Sequence, residues 1–303
     1  MARATLVQLT DNGDGDDAVS RMPAFFREAK EHGSDIIVFP EYVLGSHIDG
    51  DHPRIRRFLQ LVAEHGMYAI AGFIENHGTR WATTAILVDR QGRVLDRYLK
   101  IHPAAGDPPY HWPPIPGAAS AAEAEGILGG QFKAFPLDFG VIGIIQCYDG
   151  LFPESWACTS YAGAEVIFWI NGREGAVESH YCLTAAECQC CVVAANITNG
   201  KNTGFAGPWG LGVRALGREA ETPFVYGQLY PAVATPGDAA VHAELDLVEI
   251  RKRRKHHRIF HQRRPELYHP IVNDVTVWKN YPHIPWVDPE AERQVNSAGL
   301  VRG

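Results

Sequence analysis

The stretch GVIGIIQCYDGLFPES, residues 140–155, is the segment of the sequence that says most about the fold. Five of the six residues from Val141 to Gln146 are Val, Ile or Gly, which is typical of a buried β-strand. Cys147 follows directly, and Pro153 lies where a helix would begin. A buried cysteine is common in protein cores, but a cysteine at the tip of such a strand is a candidate nucleophile.

Outward from this stretch, apolar runs of strand length alternate with segments of helical period. The first half predicts strands at 4–9, 35–41, 67–73, 83–89 and 93–100, with helices at 18–33 and 53–66. The second half predicts strands at 140–147, 165–171, 191–196 and near 208–216, 225–230 and 241–247, with helices at 153–162 and 176–189. This order predicts an α/β fold. Two sheets packed face to face and a single doubly wound sheet both fit the pattern.

The composition does not change abruptly along the chain, so we predict one domain over residues 1–273. The tail, residues 274–303, has aromatic residues and prolines but no clear periodicity. We expect it to pack on the domain or on a second subunit. The proline-rich segment 103–117 predicts a loop, and a long loop inside a compact domain is more often functional than idle.

Composition and charge argue against several classes of protein. The net charge of −7 gives no general attraction to nucleic acid or to anionic membranes, and no apolar run approaches the roughly 20 residues of a membrane span. The N-terminal sequence MARATLVQLT lacks the apolar core of a signal peptide, so we expect a cytoplasmic location. Four of the six cysteines lie within residues 182–191, which indicates free thiols that fill the core rather than disulfides or a metal site. The basic run RKRRKHHR, 251–258, favours a solvated helix face or a subunit contact over a nucleic-acid site.

Three predicted strands end on three different reactive side chains, Glu41, Lys100 and Cys147. Each alone would most often just mark the end of a buried strand, but ligands of open α/β sheets bind beyond the carboxyl ends of strands. A thiol becomes a good nucleophile as the thiolate, which a nearby ammonium stabilises, and a carboxylate can accept the thiol proton. The ammonium and a backbone N–H can then stabilise an oxyanion. The three residues together predict acyl transfer from an amide-like or nitrile carbon through a thioester.

The sequence resembles the nitrilase superfamily of carbon–nitrogen hydrolases. The resemblance rests on IIVFPE at 36–41, YLKIH at 98–102 and GIIQCYDGLFPES at 143–155, with weaker matches at 184–196 and 263–268. It implies a four-layer α-β-β-α sandwich whose subunits pair into a homodimer or a larger assembly. It also implies Glu41 as general base, Lys100 as the residue that stabilises thiolate and oxyanion, and Cys147 as nucleophile, with no metal and no organic cofactor.

The sequence departs from that pattern in the loop after the lysine. Amidase branches usually carry a second glutamate shortly before a Pro-Gly, but the residues before Pro116 and Gly117 include Tyr110, His111 and Trp112. Asp107, Glu123 or Glu125 could substitute, or the site could function without this residue. A second departure is Trp209, where many relatives have a Gly-x-Ser segment. The residues that we predict to contact the substrate are Asp107, Tyr110, Trp112, Tyr148, Asn171 and Trp209.

The function that follows is cysteine-dependent hydrolysis of a non-peptide C–N bond in a small amide or N-carbamoyl compound. The amidase or N-carbamoyl amidohydrolase branch fits best. The closest alternative is a nitrilase, since the same three residues would act on a nitrile. An acyl-transferring or biosynthetic homologue without ordinary amidase activity is a further alternative, favoured by the missing second glutamate. We expect a small-molecule substrate and neither nucleic acid nor membrane as partner.

Overall fold

The computed structural model describes residues 1–9, 15–104, 126–172, 187–197, 207–210, 213–217 and 237–272. The chain divides into two compact units. The larger comprises residues 1–103 and 126–255, and the smaller comprises 104–125 and 256–303. The predicted division at residue 273 stays a prediction, and the tail 274–303 lies outside the described residues.

The larger unit is built on a mixed sheet. Its strands are β1 (Ala2–Leu9), β2 (Ile36–Val38), β3 (Tyr68–His77), β4 (Arg80–Val88), β5 (Val94–Leu99), β6 (Ala134–Pro136), β7 (Val141–Gln146), β8 (Val166–Asn171), β9 (Cys191–Ile197), β10 (Gly207–Gly210), β11 (Val213–Ala215) and β12 (Ala239–Leu245). The described helices are α1 (Gly15–Glu31), α2 (Pro53–His65), α3 (Pro153–Tyr161), α4 (Leu247–His256), α5 (Arg258–His261) and α6 (His269–Val272). Short 3-10 turns cover Cys147–Leu151 and Pro265–Leu267.

The strands follow the order β5-β4-β3-β2-β1-β9-β8-β7-β6, with β12 beside β1, β11 beside β12 and β10 beside β9. Strand β1 pairs with β2 over Ala4–Leu6 and with β9 over Gln8–Leu9, so the two halves of the sheet meet at this strand. Strands β2, β3, β7, β8 and β9 run parallel to β1. Strand β5 has the same direction because it is antiparallel to β4, which is antiparallel to β3. The carboxyl ends of β2, β5 and β7 therefore all point the same way.

Three apolar clusters show how the halves are layered. The central cluster combines residues of both halves, such as Leu6, Tyr98 and Ile144, on the inner faces of the strands. The opposite face of the first half packs on α1 and α2, and that of the second half packs on α3. Along β7, Ile144 faces the centre and Ile145 faces the α3 side, as the period of two in a strand requires. The order of layers is helix, sheet, sheet, helix, which confirms the predicted α-β-β-α sandwich.

Most predicted elements agree with the structure within a few residues, but β6 was not predicted and three predicted segments differ. Strand β2 ends at Val38, before the predicted 35–41 does, because Pro40 has no N–H to donate; Phe39 N–H still donates to Ile70 O at 2.8 Å, and Pro40 O accepts from Gly72 N–H at 3.1 Å. Strands β3 and β4 extend further than predicted, up to a turn with Gly78 at φ +66°. The segment 208–216 contains two strands instead of one. The helix predicted at 176–189 and the strand at 225–230 lie largely or wholly outside the described residues.

None of the described helices is long and apolar enough to cross a membrane.

Candidate active site

A buried ion pair joins two of the predicted catalytic residues. Lys100 Nζ lies 3.1 Å from Glu41 Oε1, and the side chains are 2% and 0% exposed. The other carboxylate oxygen of Glu41 accepts a hydrogen bond of 2.9 Å from the N–H of Gly172. Burying a charge is costly unless it is paired and hydrogen-bonded, and here each charge supplies the other's partner.

Glu41 reaches this position because two glycines let the backbone approach closely. A Cβ on Gly72 would lie 2.8 Å from the Cα of Glu41, and a Cβ on Gly172 would lie 2.6 Å from the ring of Tyr42. Tyr42 itself has φ +63°, a left-handed conformation that side-chain-bearing residues rarely adopt. The sharp turn after β2 thus directs Glu41 inward.

The ends of strands β5 and β7, which carry Lys100 and Cys147, are linked through one shared carbonyl, Thr83 O. The N–H of Lys100 donates to Thr83 O at 2.9 Å, and Gln146 Nε2 donates to the same oxygen at 3.2 Å. Gln146 Nε2 also lies 3.2 Å from Tyr98 O. Strands β5 and β7 are far apart along the sheet order, so these bonds form across the interface between the two sheet layers. The sandwich brings the end of the lysine strand next to the end of the cysteine strand.

Cys147 begins a tight turn that two tryptophans support from the α3 side. It is half-buried and has φ +39°. Trp169 Nε1 donates to Cys147 O at 2.9 Å, and Trp156 Nε1 donates to Gly150 O at 2.8 Å. The two indoles meet edge to face, with ring centroids 5.3 Å apart. The carbonyls of Cys147 and Gly150 therefore each have a hydrogen-bond donor on the core side.

A second buried carboxylate, Asp149, connects the two strand ends. Its Oδ2 accepts bonds from Tyr98 Oη at 2.9 Å and from the N–H of Gln146 at 3.1 Å. Its Oδ1 accepts bonds from the N–H of His102 at 2.8 Å and from His102 Nδ1 at 2.9 Å. Burial, reinforced by the nearby Asp149 carboxylate, raises the pKa of Tyr98 well above its usual value, so the phenol remains a donor.

Sequence reasoning assigned no role to Tyr98, His102 or Asp149. The sequence signal for a role at this site was their spacing. Asp149 follows Cys147 by two residues, and Tyr98 and His102 lie two residues before and after Lys100.

The sequence profile of the family described as carbon-nitrogen hydrolase matches residues 3–255. The chain belongs to the carbon–nitrogen hydrolase family. The predicted resemblance to the nitrilase superfamily is therefore confirmed, as is the predicted class of enzyme, a hydrolase of non-peptide C–N bonds.

Three relatives illustrate how distant the similarity is. Deaminated glutathione amidase of Homo sapiens is 26% identical over 243 residues, covering 72% of this chain and 66% of that protein. Citrullinase of Francisella tularensis is 23% identical over 303 residues, covering 89% of this chain and 98% of that protein. An amidase variant from Nesterenkonia sp. AN1, with acrylamide added to its active-site cysteine, has a TM-score of 0.64 at 15% identity, covering 89% of this chain and 100% of that one. The structural likeness supports the fold.

Two of the residues predicted to contact substrate lie beside the strand ends of this carbon–nitrogen hydrolase. Tyr148 is half-buried on the turn after Cys147, with its ring 5.6 Å from that of Phe152. Asn171 is buried at the end of β8, where its Nδ2 donates to Trp169 O at 3.1 Å. Trp209 lies in β10, opposite Val192 of β9. Asp107, Tyr110 and Trp112 lie outside the described residues, as do His111, Glu123 and Glu125.

The clustered cysteines fill the core, as predicted. Cys188, Cys190 and Cys191 are buried, and burial raises the pKa of the Cys188 thiol to about 11. Burial also raises the pKa of Cys190 and Cys191, so these thiols are poor nucleophiles. Cys182 lies outside the described residues. Within the described ranges, no group of three or more His, Cys, Asp or Glu side chains is arranged to hold a metal ion.

The basic run at 251–258 makes contacts within the chain. Arg251 Nη2 lies 3.0 Å from Glu165 Oε2, and Arg254 donates to the carbonyls of Ala164 at 2.9 Å and Ser160 at 3.0 Å. Arg254 thus binds carbonyls at the end of α3, where a cation is favourable. These two arginines fasten α4 to the second half, while Lys252, Lys255 and His256 are exposed, in agreement with the expected solvated helix face. The expected subunit contact stays a prediction.

Proposed function

We propose that this carbon–nitrogen hydrolase cleaves the C–N bond of a small amide or N-carbamoyl compound through a thioester on Cys147. The observation that carries the proposal is the buried ion pair of Glu41 and Lys100 at the sheet edge where the strand of Cys147 ends. A dry ion pair supplies both a proton acceptor and a fixed positive charge. No metal or organic cofactor takes part in the proposed reaction.

In the first half of the reaction, Glu41 accepts the thiol proton of Cys147, and Lys100 stabilises the thiolate. The thiolate attacks the carbonyl carbon, and the oxygen becomes an oxyanion that Lys100 and a backbone N–H of the turn stabilise. When the oxyanion collapses, the C–N bond breaks. The leaving nitrogen takes the proton from Glu41 and departs as ammonia or an amine, which leaves the acyl group on sulfur.

In the second half, Glu41 accepts a proton from water as the water attacks the thioester carbon. Collapse of this intermediate breaks the C–S bond, releases the acid product and returns the proton to sulfur. Tyr148 and Asn171 are proposed to contact the substrate, together with Asp107, Tyr110, Trp112 and Trp209. One relative is named as an amidase and another as a citrullinase. Small amides and carbamoyl compounds are therefore the first substrates to assay.

The test is ammonia release from simple amides, N-carbamoyl amino acids, N-carbamoyl amines and nitriles. We expect an amide or a carbamoyl compound to be hydrolysed, and Cys147→Ala to lower kcat by about 10⁴-fold or more. Cys158→Ala, which changes an exposed cysteine on α3, is the matched control and should remain active. Full activity of Cys147→Ala would reject the proposal.

The same panel separates the two alternatives. Turnover of nitriles alone would indicate a nitrilase. Rapid alkylation of Cys147 without turnover of any member would instead favour the acyl-transferring homologue, because the residues before Pro116 lack the second glutamate that amidase branches usually carry.

We also propose a cytoplasmic homodimer or larger homo-oligomer. The smaller unit supports self-association because Leu267, Ile271 and Val272 are 59%, 60% and 77% exposed. Light scattering coupled to size-exclusion chromatography measures the mass of the assembly directly. A mass of 33.4 kDa, that of one chain, would exclude the oligomer at the concentration tested.

A further inference from the structure

One buried carboxylate is bonded to both of the strand ends that carry Lys100 and Cys147. Asp149 is 0% exposed. Three of the four bonds that it accepts come from Tyr98 and His102, which lie on either side of Lys100. The fourth comes from the N–H of Gln146, the residue before Cys147.

A local capping role explains only one of these bonds. An acidic residue three positions after the first residue of a helical turn often accepts the N–H at the start of that turn, as Asp149 does from Gln146. The other donors are 51 and 47 residues away in sequence; Tyr98 lies in β5, which is not a neighbour of β7 in the sheet order, and His102 lies just beyond it. A carboxylate that only capped the turn would not need them.

The two donor residues are themselves held in place. Tyr98 is 1% exposed and belongs to the central core cluster. The ring of His102 stacks on Phe152 with centroids 3.8 Å apart and an interplanar angle of 11°. Because a carboxylate accepts bonds only, the Nδ1 of His102 carries the proton in its bond to Asp149. The segment on both sides of Lys100 is thus attached to the turn of Cys147 through one rigid group.

We propose that Asp149 is a positioning residue that sets the distance between the Cys147 thiol and the Lys100 ammonium. Tyr98 and His102 are its contacts on the lysine side. The inference rests on the proposed function. A reacting group displaced by about 1 Å can lose 10²-fold in rate, so a residue that touches no substrate can still control the chemical step.

The structure offers a matched control at the other end of the same strand. Glu165 is also buried, and its Oε2 accepts a bond of 2.9 Å from the N–H of Val141, the first residue of β7. Asp149→Asn and Glu165→Gln each replace a buried carboxylate that caps one end of β7 by the amide of the same shape. Only the first lies between the lysine and the cysteine.

The experiment measures kcat and KM for the best amide of the panel, and the rate at which iodoacetamide alkylates Cys147 from pH 6 to 10. Fragment ions distinguish Cys147 from Cys158, which lies on the same tryptic peptide. We expect Asp149→Asn to lower kcat by about 10²-fold with KM changed less than about threefold. The alkylation profile should shift to higher pH, because a more distant ammonium stabilises the thiolate less. Glu165→Gln should leave kcat and the alkylation profile unchanged.

Tyr98→Phe provides a second test in case Asp149→Asn does not fold. It removes one donor and keeps the packing of the ring, and we expect kcat to fall by about tenfold, with a smaller shift of the alkylation profile in the same direction. Unchanged kcat and an unchanged profile in Tyr98→Phe and in any folded Asp149→Asn would overturn the inference. Equal losses in Asp149→Asn and Glu165→Gln would do the same, since they would reflect stability alone. Activity of Cys147→Ala would reject the proposed function instead, and the alkylation profile would still test the role of Asp149.

Discussion

The two halves of the sandwich present their reactive residues in different ways. The first half, strands β1 to β5 with α1 and α2, presents Glu41 and Lys100 as an ion pair with 0% and 2% exposure. The second half, strands β7 to β9 with α3, presents Cys147 half-buried on a turn with φ +39°. Both sites are strand ends. The ion pair is held by burial, whereas the turn of Cys147 is held by hydrogen bonds to its backbone carbonyls.

The difference follows from what each group has to do in the proposed reaction. An ion pair interacts more strongly where the effective dielectric constant is low, so the charges gain from being enclosed. A nucleophile has to meet the substrate, so it cannot be enclosed in the same way. The second half therefore fixes the turn through its carbonyls, and Cys147 stays half-buried instead of fully enclosed.

The strongest test of this contrast is to remove one charge from the enclosed pair. Lys100→Met should destabilise the protein by about 3–5 kcal/mol, because it leaves the carboxylate of Glu41 buried beside an apolar side chain. It should also abolish turnover. Urea denaturation followed by circular dichroism measures the change in the free energy of unfolding.

The double variant Glu41→Gln with Lys100→Met is the control for this measurement. It is also inactive, but it leaves no buried charge, so we expect it to be more stable than Lys100→Met alone. A double variant that is less stable than either single variant would contradict the explanation that the cost in Lys100→Met comes from an unpaired buried charge.

The second half should instead respond to the loss of a single hydrogen bond. Trp169→Phe keeps an aromatic ring beside Trp156 but leaves Cys147 O without its indole donor, at a cost of about 1–3 kcal/mol. Trp156→Phe removes the equivalent bond to Gly150 O and is the matched control. We expect Trp169→Phe to slow alkylation of Cys147 by iodoacetamide severalfold more than Trp156→Phe does. Equal rates in the two variants would show that the bond at Cys147 O has no special effect on the thiol.

The ends of the strands could be predicted from the sequence because they depend on local pattern. The apolar runs before Glu41 and Cys147 and the mixed segment 93–99 before Lys100 indicate strands, and parallel strands end at one edge of a sheet. The length of β2 was overestimated because the apolar pattern continues past Val38, where Pro40 ends the regular ladder and the chain turns at Tyr42.

The connection between the strand ends could not be predicted, because it depends on contacts between two sheet layers. Nothing in the sequence pairs Tyr98 with Asp149, since β5 and β7 are not neighbours in the sheet order. The environment of the basic run was likewise predicted from composition alone. Its partners, Glu165 and the carbonyls at the end of α3, depend on how α4 packs, which the composition does not show.

The smallest effect that we predict is a dependence of stability on pH where β12 packs against the first half. His242 of β12 lies against β1 and α1, where its ring bonds to Thr5 Oγ1 at 2.9 Å and to Glu28 Oε1 at 3.1 Å and stacks on His32 at 3.6 Å. Burial lowers the pKa of His242 below its usual 6.5 in the folded state, although Glu28 acts in the opposite direction.

The unfolded chain therefore binds a proton at His242 more readily than the folded chain does. The contribution of neutral His242 to stability is complete above about pH 6.5 and is lost as the pH falls below that value toward the pKa of the folded state. We expect the urea midpoint to decrease between pH 7.5 and pH 5, and to decrease less in His242→Gln, which keeps polar atoms at the position but does not titrate. If the two proteins lost the same stability over this interval, protonation of His242 would not be the cause of the loss. The neutral histidine between α1, β1 and β12 would then contribute nothing to stability beyond the burial of the ion pair.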